Sequence, residues 1–237
     1  MVTLPKITEA SIDFSTICQL RCVECSTAKG ITHSGIVGKG QLSFDNFRKF
    51  ISENPEIKRI EMSNWGEIFL NKDIYKIMQY AHEQGVTLYC GNGTNFNDVP
   101  DKVLEGLVKF KVLYLNLSID GASQETYSIY RRNGDFAKVI NNIRRLNYFK
   151  KLYSSEYPKL SWQFIIFGHN EHELPKVKLL CEELGMAFNP KLNYSTFSPV
   201  IDRDFVRKES GLGVADRDEY KQKHHAEYKY NRPRLQV

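Results

Sequence analysis

Short apolar runs alternate with longer amphipathic ones along most of this chain. ASIDFS (10–15) predicts a first strand. LSFDNFRKFISEN, starting at Leu42, predicts a helix: Ser43 is placed to cap it, and Phe44, Phe47, Phe50 and Ile51 recur at helical spacing. RIEMS (59–63) predicts a second strand, and DIYKIMQYAHEQG (73–85) a helix closed by Gly85. VTLYC (86–90) follows as a strand, then VPDKVLEGLVKF (99–110) as a helix with Pro100 near its start. VLYLNLSI (112–119) is apolar enough to be buried on both faces. A short helix over Gln124–Tyr130 and a long one from Asp135 to about Leu152 come next. LSWQFIIF (160–167), ELPKVKLLCEELG (173–185) and MAFNPKL (186–192) complete the series as strand, helix and strand.

Such alternation with short links predicts an α/β fold, a parallel sheet with helices outside it. Right-handed crossovers curl a sheet of this kind towards a full or partial barrel. The period fades after Tyr194. Residues 198–237 are polar and end in a basic stretch, which reads either as a tail or as irregular cover over an open barrel.

The balance of 41% hydrophobic and 26% charged residues is that of a soluble globular protein, and 237 residues suffice for one large core. No run of about eighteen apolar residues appears, and the N-terminus lacks the apolar core of a secretory signal, so no membrane partner is expected. A net charge of +5 allows a phosphate or nucleic acid as partner. The basic residues are scattered, however, as on solvated helix faces. Five unevenly spaced cysteines fit a reducing cytoplasm better than a disulfide scaffold.

Three of those cysteines, Cys18, Cys22 and Cys25, lie within eight positions, directly after the first predicted strand. Loops that follow strands of a parallel sheet sit where ligands bind. Three readings compete. A structural zinc site needs a fourth ligand, for which His33 is a candidate. A redox pair of Cys22 and Cys25 leaves Cys18 without a purpose. An iron–sulfur cluster held by three thiolates keeps one iron open. Cys90 and Cys181 stand apart and read as small buried hydrophobes.

The spacing C-x3-C-x2-C after the first strand of a βα-repeat domain resembles the radical S-adenosylmethionine superfamily. SNWGEIFLN (63–71) is similar to that family's glycine–glycine–glutamate–proline stretch, and GNGTNF (91–96) to its threonine–asparagine–glycine turn. NLSIDGASQETYSIYRRNGDFAKVINNI (116–143) and QFIIFGHNEHEL (163–174) resemble the branch of peptide- and protein-modifying maturases with a C-terminal cluster-binding (SPASM) extension. Together these motifs run from about residue 10 to residue 192. Two positions depart from the pattern. Glu24 stands where an aromatic residue is usual, and of the glycine–glutamate stretch only Gly66 and Glu67 remain.

The resemblance implies a partial (β/α)6 TIM-like barrel over 1–195, with 196–237 as a polar C-terminal tail or barrel cover. It implies a [4Fe–4S] cluster on Cys18, Cys22 and Cys25 whose fourth iron is chelated by S-adenosylmethionine. A one-electron donor of flavodoxin or ferredoxin type would drive cleavage to a 5′-deoxyadenosyl radical, which takes hydrogen from a peptide or protein side chain, a sugar or another small molecule. A non-catalytic metal- or cluster-binding protein of the same fold is the rival reading.

By matching position, Gly66 and Glu67 are expected at the methionine amino group. Ser118 and Asp120 are expected at ribose or carboxylate. Arg131 is expected at the methionine carboxylate, with Arg132 as the alternative, and Asn95, Gln163 and Asn170 on the substrate side. The plainer readings are that Ser118 bonds nearby backbone, that the arginines are surface charges, and that the amides cap turns. The glycine-rich loop 27–42 is expected to touch substrate. No cysteine follows Cys181, so no auxiliary cluster is expected on this chain's own cysteines, and HAEYKYNRPRLQV (225–237) resembles a linker ahead of such an extension.

Overall fold

The computed structural model describes residues 7–35 and 37–224; the linker-like stretch 225–237 lies outside the described residues. Six parallel strands form one sheet in sequence order: β1 (Glu9–Ser11), β2 (Arg59–Glu61), β3 (Thr87–Thr94), β4 (Tyr114–Ser118), β5 (Lys159–Ile166) and β6 (Ala187–Leu192). Helices α1 (Phe44–Glu53), α2 (Ile74–Glu83), α3 (Asp101–Lys109), α4 (Gln124–Tyr130), α5 (Phe136–Leu152) and α6 (Leu174–Leu184) cross between them. No pairing joins β1 to β6 among the described residues, so the architecture is the expected partial barrel with an open seam.

Each helix forms where its pattern and caps agree. Ser43 Oγ accepts from Asn46 N at 3.2 Å at the start of α1, and Asp135 Oδ1 accepts from Lys138 N at 3.0 Å at the start of α5. Gly185 adopts the left-handed conformation that closes α6.

The faces of the strands separate two environments. Leu115, Leu117, Trp162, Phe164 and Ile166 are fully buried in the main core cluster with residues of α2, α3, α5 and α6. The alternate positions are polar as far as Gln163, after which Ile165 is apolar. Asn116 is level with Ser161, Ser118 with Gln163, and Gln163 with Asn189. Asn116 Nδ2 donates to Gln163 Oε1 at 2.8 Å and to Gly91 O at 3.0 Å, and its Oδ1 accepts from Ser161 Oγ at 3.1 Å and Asn189 Nδ2 at 3.2 Å. An amide strip thus lines the inner face where apolar packing would otherwise continue, each polar group satisfied by another.

Beyond Tyr194, where the sequence shows no period, the chain forms α7 (Arg203–Glu209) and α8 (Arg217–Lys223). Ion pairs rather than an apolar stripe hold them together. Arg203 and Arg207 both pair with Glu219, and the buried Val206 and Ala215 join the main core. Glu171, at the end of the β5–α6 connection, receives the amides of Ile201 and Asp202 at 2.9 and 2.8 Å.

Candidate active site

The cysteine loop leaves β1 and is clamped on three sides. Thr16 N donates to Gly40 O at 3.0 Å, Glu67 N to Ile17 O at 2.8 Å, and Arg21 N to Arg132 O at 2.9 Å. The second clamp needs Gly66, whose φ is +69° and whose missing Cβ would lie 2.7 Å from Thr16 C and 2.8 Å from Ile17 N. The close backbone approach expected of Gly66 is therefore an approach to the cysteine loop itself.

Cys22 is buried, while Cys18 and Cys25 are partly exposed, and all three are free thiols. Two nitrogens reach their sulfurs. Asn95 Nδ2 lies 3.6 Å from Cys18 Sγ, and Arg131 Nη1 lies 3.6 Å from Cys22 Sγ. Burial, with the Glu67 carboxylate adding to it, pushes the Cys18 thiol up to about 12. Burial also raises Cys22, with the Arg131 guanidinium pulling the other way. Such thiols ionise when metal supplies the positive charge, releasing their protons.

The donor set discriminates between the metal readings. His33 Nε2 is 2.8 Å from the Thr16 carbonyl, so the candidate fourth zinc ligand is occupied in fixing the loop. Among the described residues no three His, Cys, Asp or Glu side chains converge as a single ion requires. A cluster takes one thiolate per iron and so spreads its sulfurs; three cysteines with N–H donors at two of them fit that group.

The other expected site residues gather around this loop in roles that partly differ from expectation. Glu67 is buried, and its carboxylate turns away from any ligand to accept from Thr94 Oγ1, from Asn95 N at 2.7 Å and from Phe69 N at 3.3 Å. Burial pushes this carboxyl above its usual range, against these bonds. Asp120 is fully buried with both oxygens taken, Oδ1 by Ile165 N at 2.7 Å and Oδ2 by Arg131 Nε and Nη2 at 2.6 Å each. It fixes Arg131 rather than facing a ligand. Arg131 is mostly shielded and points to the thiols; Arg132 is exposed and contributes only its carbonyl to the loop.

Asn95 stands beside Cys18 rather than on a separate substrate wall. Asn170 is entirely buried, tying Asp120 O and Ile165 O at 3.1 and 3.0 Å, a staple between strand ends. Ser118 accepts from Gln163 Nε2 at 3.3 Å, the two lying level with each other on the polar strip of β4 and β5. Glu24, at the aromatic position of the pattern, pairs with Lys29 at 2.6 Å, and Trp65 is 39% exposed.

Sequence reasoning passed over two groups. Gln19 bridges Asn95 and Asp98, its Nε2 3.3 Å from Asn95 Oδ1 and 3.1 Å from Asp98 Oδ2. Its place next to Cys18 was the available signal. Tyr130 and Phe167, whose rings lie 4.7 Å apart, join Leu20, Cys22 and Ile165 in a small apolar cluster separate from the main core. Phe197 packs at its side. Only the folded chain brings these aromatics to the thiols.

The model of the radical SAM superfamily matches residues 12–181, which span the cysteine loop and four of the six strands, β2 to β5. This chain belongs to the radical SAM superfamily. Membership brings a [4Fe–4S] cluster and S-adenosylmethionine as its cofactors. The AdoMet-dependent heme synthase of Methanosarcina barkeri is 28% identical over 170 residues, covering 71% of this chain and 45% of that protein. A probable GTP 3′,8-cyclase of Methanocaldococcus jannaschii is 23% identical over 192 residues, covering 76% and 57%. The radical SAM chain thus spans about half the length of the curated relatives it matches. Streptococcus suis SuiB, solved with S-adenosylmethionine and with its precursor peptide SuiA, shares the fold at 14% identity. The TM-scores are 0.62 and 0.63, over 92% of this chain and 48% and 47% of SuiB. Among the described residues no helix is long and apolar enough to cross a membrane.

Proposed function

We propose that this chain reductively cleaves S-adenosylmethionine and uses the resulting 5′-deoxyadenosyl radical to take hydrogen from a substrate C–H bond. Cys18, Cys22 and Cys25 would hold the cluster, which when bound supplies the electron and the open iron for this chemistry. The observation that carries the reading is the triad itself: three free thiols on one clamped loop, with Asn95 and Arg131 nitrogens at two of the sulfurs. Gly66 holds that loop against the end of β2. Asp120 aims Arg131, and the packed aromatics beside Cys22 exclude water from one side of the site. Ser118 and Gln163, on the inner face of β4 and β5, are the groups that would meet the nucleoside or substrate.

A peptide or protein side chain is the first substrate reading, supported by the maturase-like stretches 116–143 and 163–174 and by the fold shared with SuiB. A small molecule is the second. The sequence relatives favour it, since one is named for heme synthesis and the other for cyclising GTP. A one-electron donor and a reducing cytoplasm complete the proposal, the latter supported by five unpaired cysteines.

The test is 5′-deoxyadenosine formation by the anaerobically reconstituted protein with S-adenosylmethionine and dithionite, with Cys22→Ala in parallel. Product from the parent alone supports the reading. Iron incorporation without product overturns it in favour of a binding protein of the same fold.

A further inference from the structure

Between the free edge of β6 and α8 lies a pocket of about 370 Å³. Lys191, Arg217 and Lys221 line it together with Leu192, Leu212 and Tyr220, and no carboxylate is among the lining residues. Among the described residues, Lys191 and Arg217 enter no ion pair. Lys221 pairs at 3.1 Å with Asp218, an exposed residue outside the lining. Arg217 is steadied over the Tyr194 ring, 5.7 Å from its centroid. Three cations facing one concavity repel each other, and an anion between them relieves that repulsion. Leu212 packs on the main core and the Tyr220 ring on His224, 4.5 Å between centroids, so beside the cations the pocket offers an ordered apolar surface that a bare inorganic ion would not use.

We propose that this pocket is a binding site for an organic anion, a carboxylate or phosphate group joined to an apolar body. Its place in the fold gives the site meaning. Lys191 is level with Ile165 across the β5–β6 pairing, and Ile165 belongs to the apolar cluster that contains Cys22. The pocket therefore lies at the open seam, one strand away from the cysteine loop's packing. As the anchor of a substrate's acidic group it rests on the radical reading above; as an anion site it does not.

The experiment is isothermal titration of the cluster-loaded protein with phenyl phosphate, phenylacetate and, as the neutral counterpart, benzyl alcohol. At least one of the two anions binds, with affinity falling as salt is raised, and benzyl alcohol binds at least tenfold more weakly. The double variant Lys191→Gln/Arg217→Gln loses tenfold or more of the anion affinity. Both side chains are exposed, so its thermal midpoint stays at the parent value and a folding defect is distinguishable. A preference for phenyl phosphate marks a phosphorylated ligand, and one for phenylacetate a carboxylated ligand. Equal binding of benzyl alcohol, undiminished binding by the double variant, or no binding of either anion overturns the proposal. Titration needs no turnover, so anion binding without 5′-deoxyadenosine formation removes only the radical reading, and the reverse removes only the pocket.

Discussion

Arg131 places both Nε and Nη2 at 2.6 Å from a single oxygen of Asp120, which leaves Nη1 free to lie 3.6 Å from the Cys22 sulfur. Asp120 has no exposed surface and the Arg131 side chain only 13%. Truncating one member of such a pair strands the other's charge in a poorly solvated place, at a cost of about 3–5 kcal/mol. Asp120→Ala should therefore lower the unfolding free energy by that order in denaturant titration. The isosteric Asp120→Asn should also release Arg131 from the sulfur, so the potential of the bound cluster should shift as well. Loss of stability with an unchanged cluster potential would leave the pair a purely structural one.

Asn95 is the neutral counterpart of that arrangement, its Nδ2 3.6 Å from Cys18 Sγ. An N–H directed at a thiolate stabilises the more negative, reduced state of a cluster, so its removal makes reduction harder. Taking a net hydrogen bond as about 0.5–1.5 kcal/mol, Asn95→Ala should lower the one-electron potential by roughly 20–60 mV. Redox titration followed by electron paramagnetic resonance reads this directly. A potential equal to the parent's means that the contact does not persist once the cluster is bound.

How far the chain could be read in advance follows from which forces are local. The periodic elements up to β6 were legible because their apolar spacing is also their packing face. The strand over 86–90 runs further than its apolar run, to Thr94, because the glycine turn continues the pairing with a register irregularity between Cys90 and Thr94. Helices α7 and α8 were not legible: each has seven residues, α8 buries none of them, and ion pairs to Glu219 replace a stripe. The same division runs through the site. Three cysteines on one loop are visible as a string, and the alternation of Ser118 with Leu117 and Ile119 marks an inner face. That Asp120 would be used up by Arg131, or that Asn95 would reach a sulfur 77 positions earlier, depends on contacts no local pattern carries.

Gly66 has a backbone φ of +69° and sits against the backbone of Ser15–Ile17. Gly66→Ala combines left-handed strain with a clash against main chain that cannot rotate away, roughly 2–5 kcal/mol together. Because the displaced segment leads into Cys18, the iron bound per chain after reconstitution should fall along with the melting temperature. Full iron loading in a destabilised variant would show that the glycine serves the fold and not the cysteine loop.

Glu219 joins the C-terminal helices to one another and to the core. The Arg207 side chain, the Ala215 amide at 2.8 Å and the Arg203 side chain together hold its carboxyl down at about 2, from an ordinary 4.5. A carboxylate lowered by folding contributes stability that is fully present above about 4.5 and is lost as pH falls towards 2. Hydrogen exchange over 203–223 should therefore show protection at pH 6 that declines across this window. Glu219→Gln, which keeps the shape and removes the charge, should already exchange faster at pH 6. Its profile should also be flatter between pH 5 and pH 3, since the titrating group is gone. If the variant keeps the parent's pH dependence, the neighbouring carboxylate Asp216, also lowered and paired with Arg203, carries the linkage, and the ion pairs are not centred on Glu219.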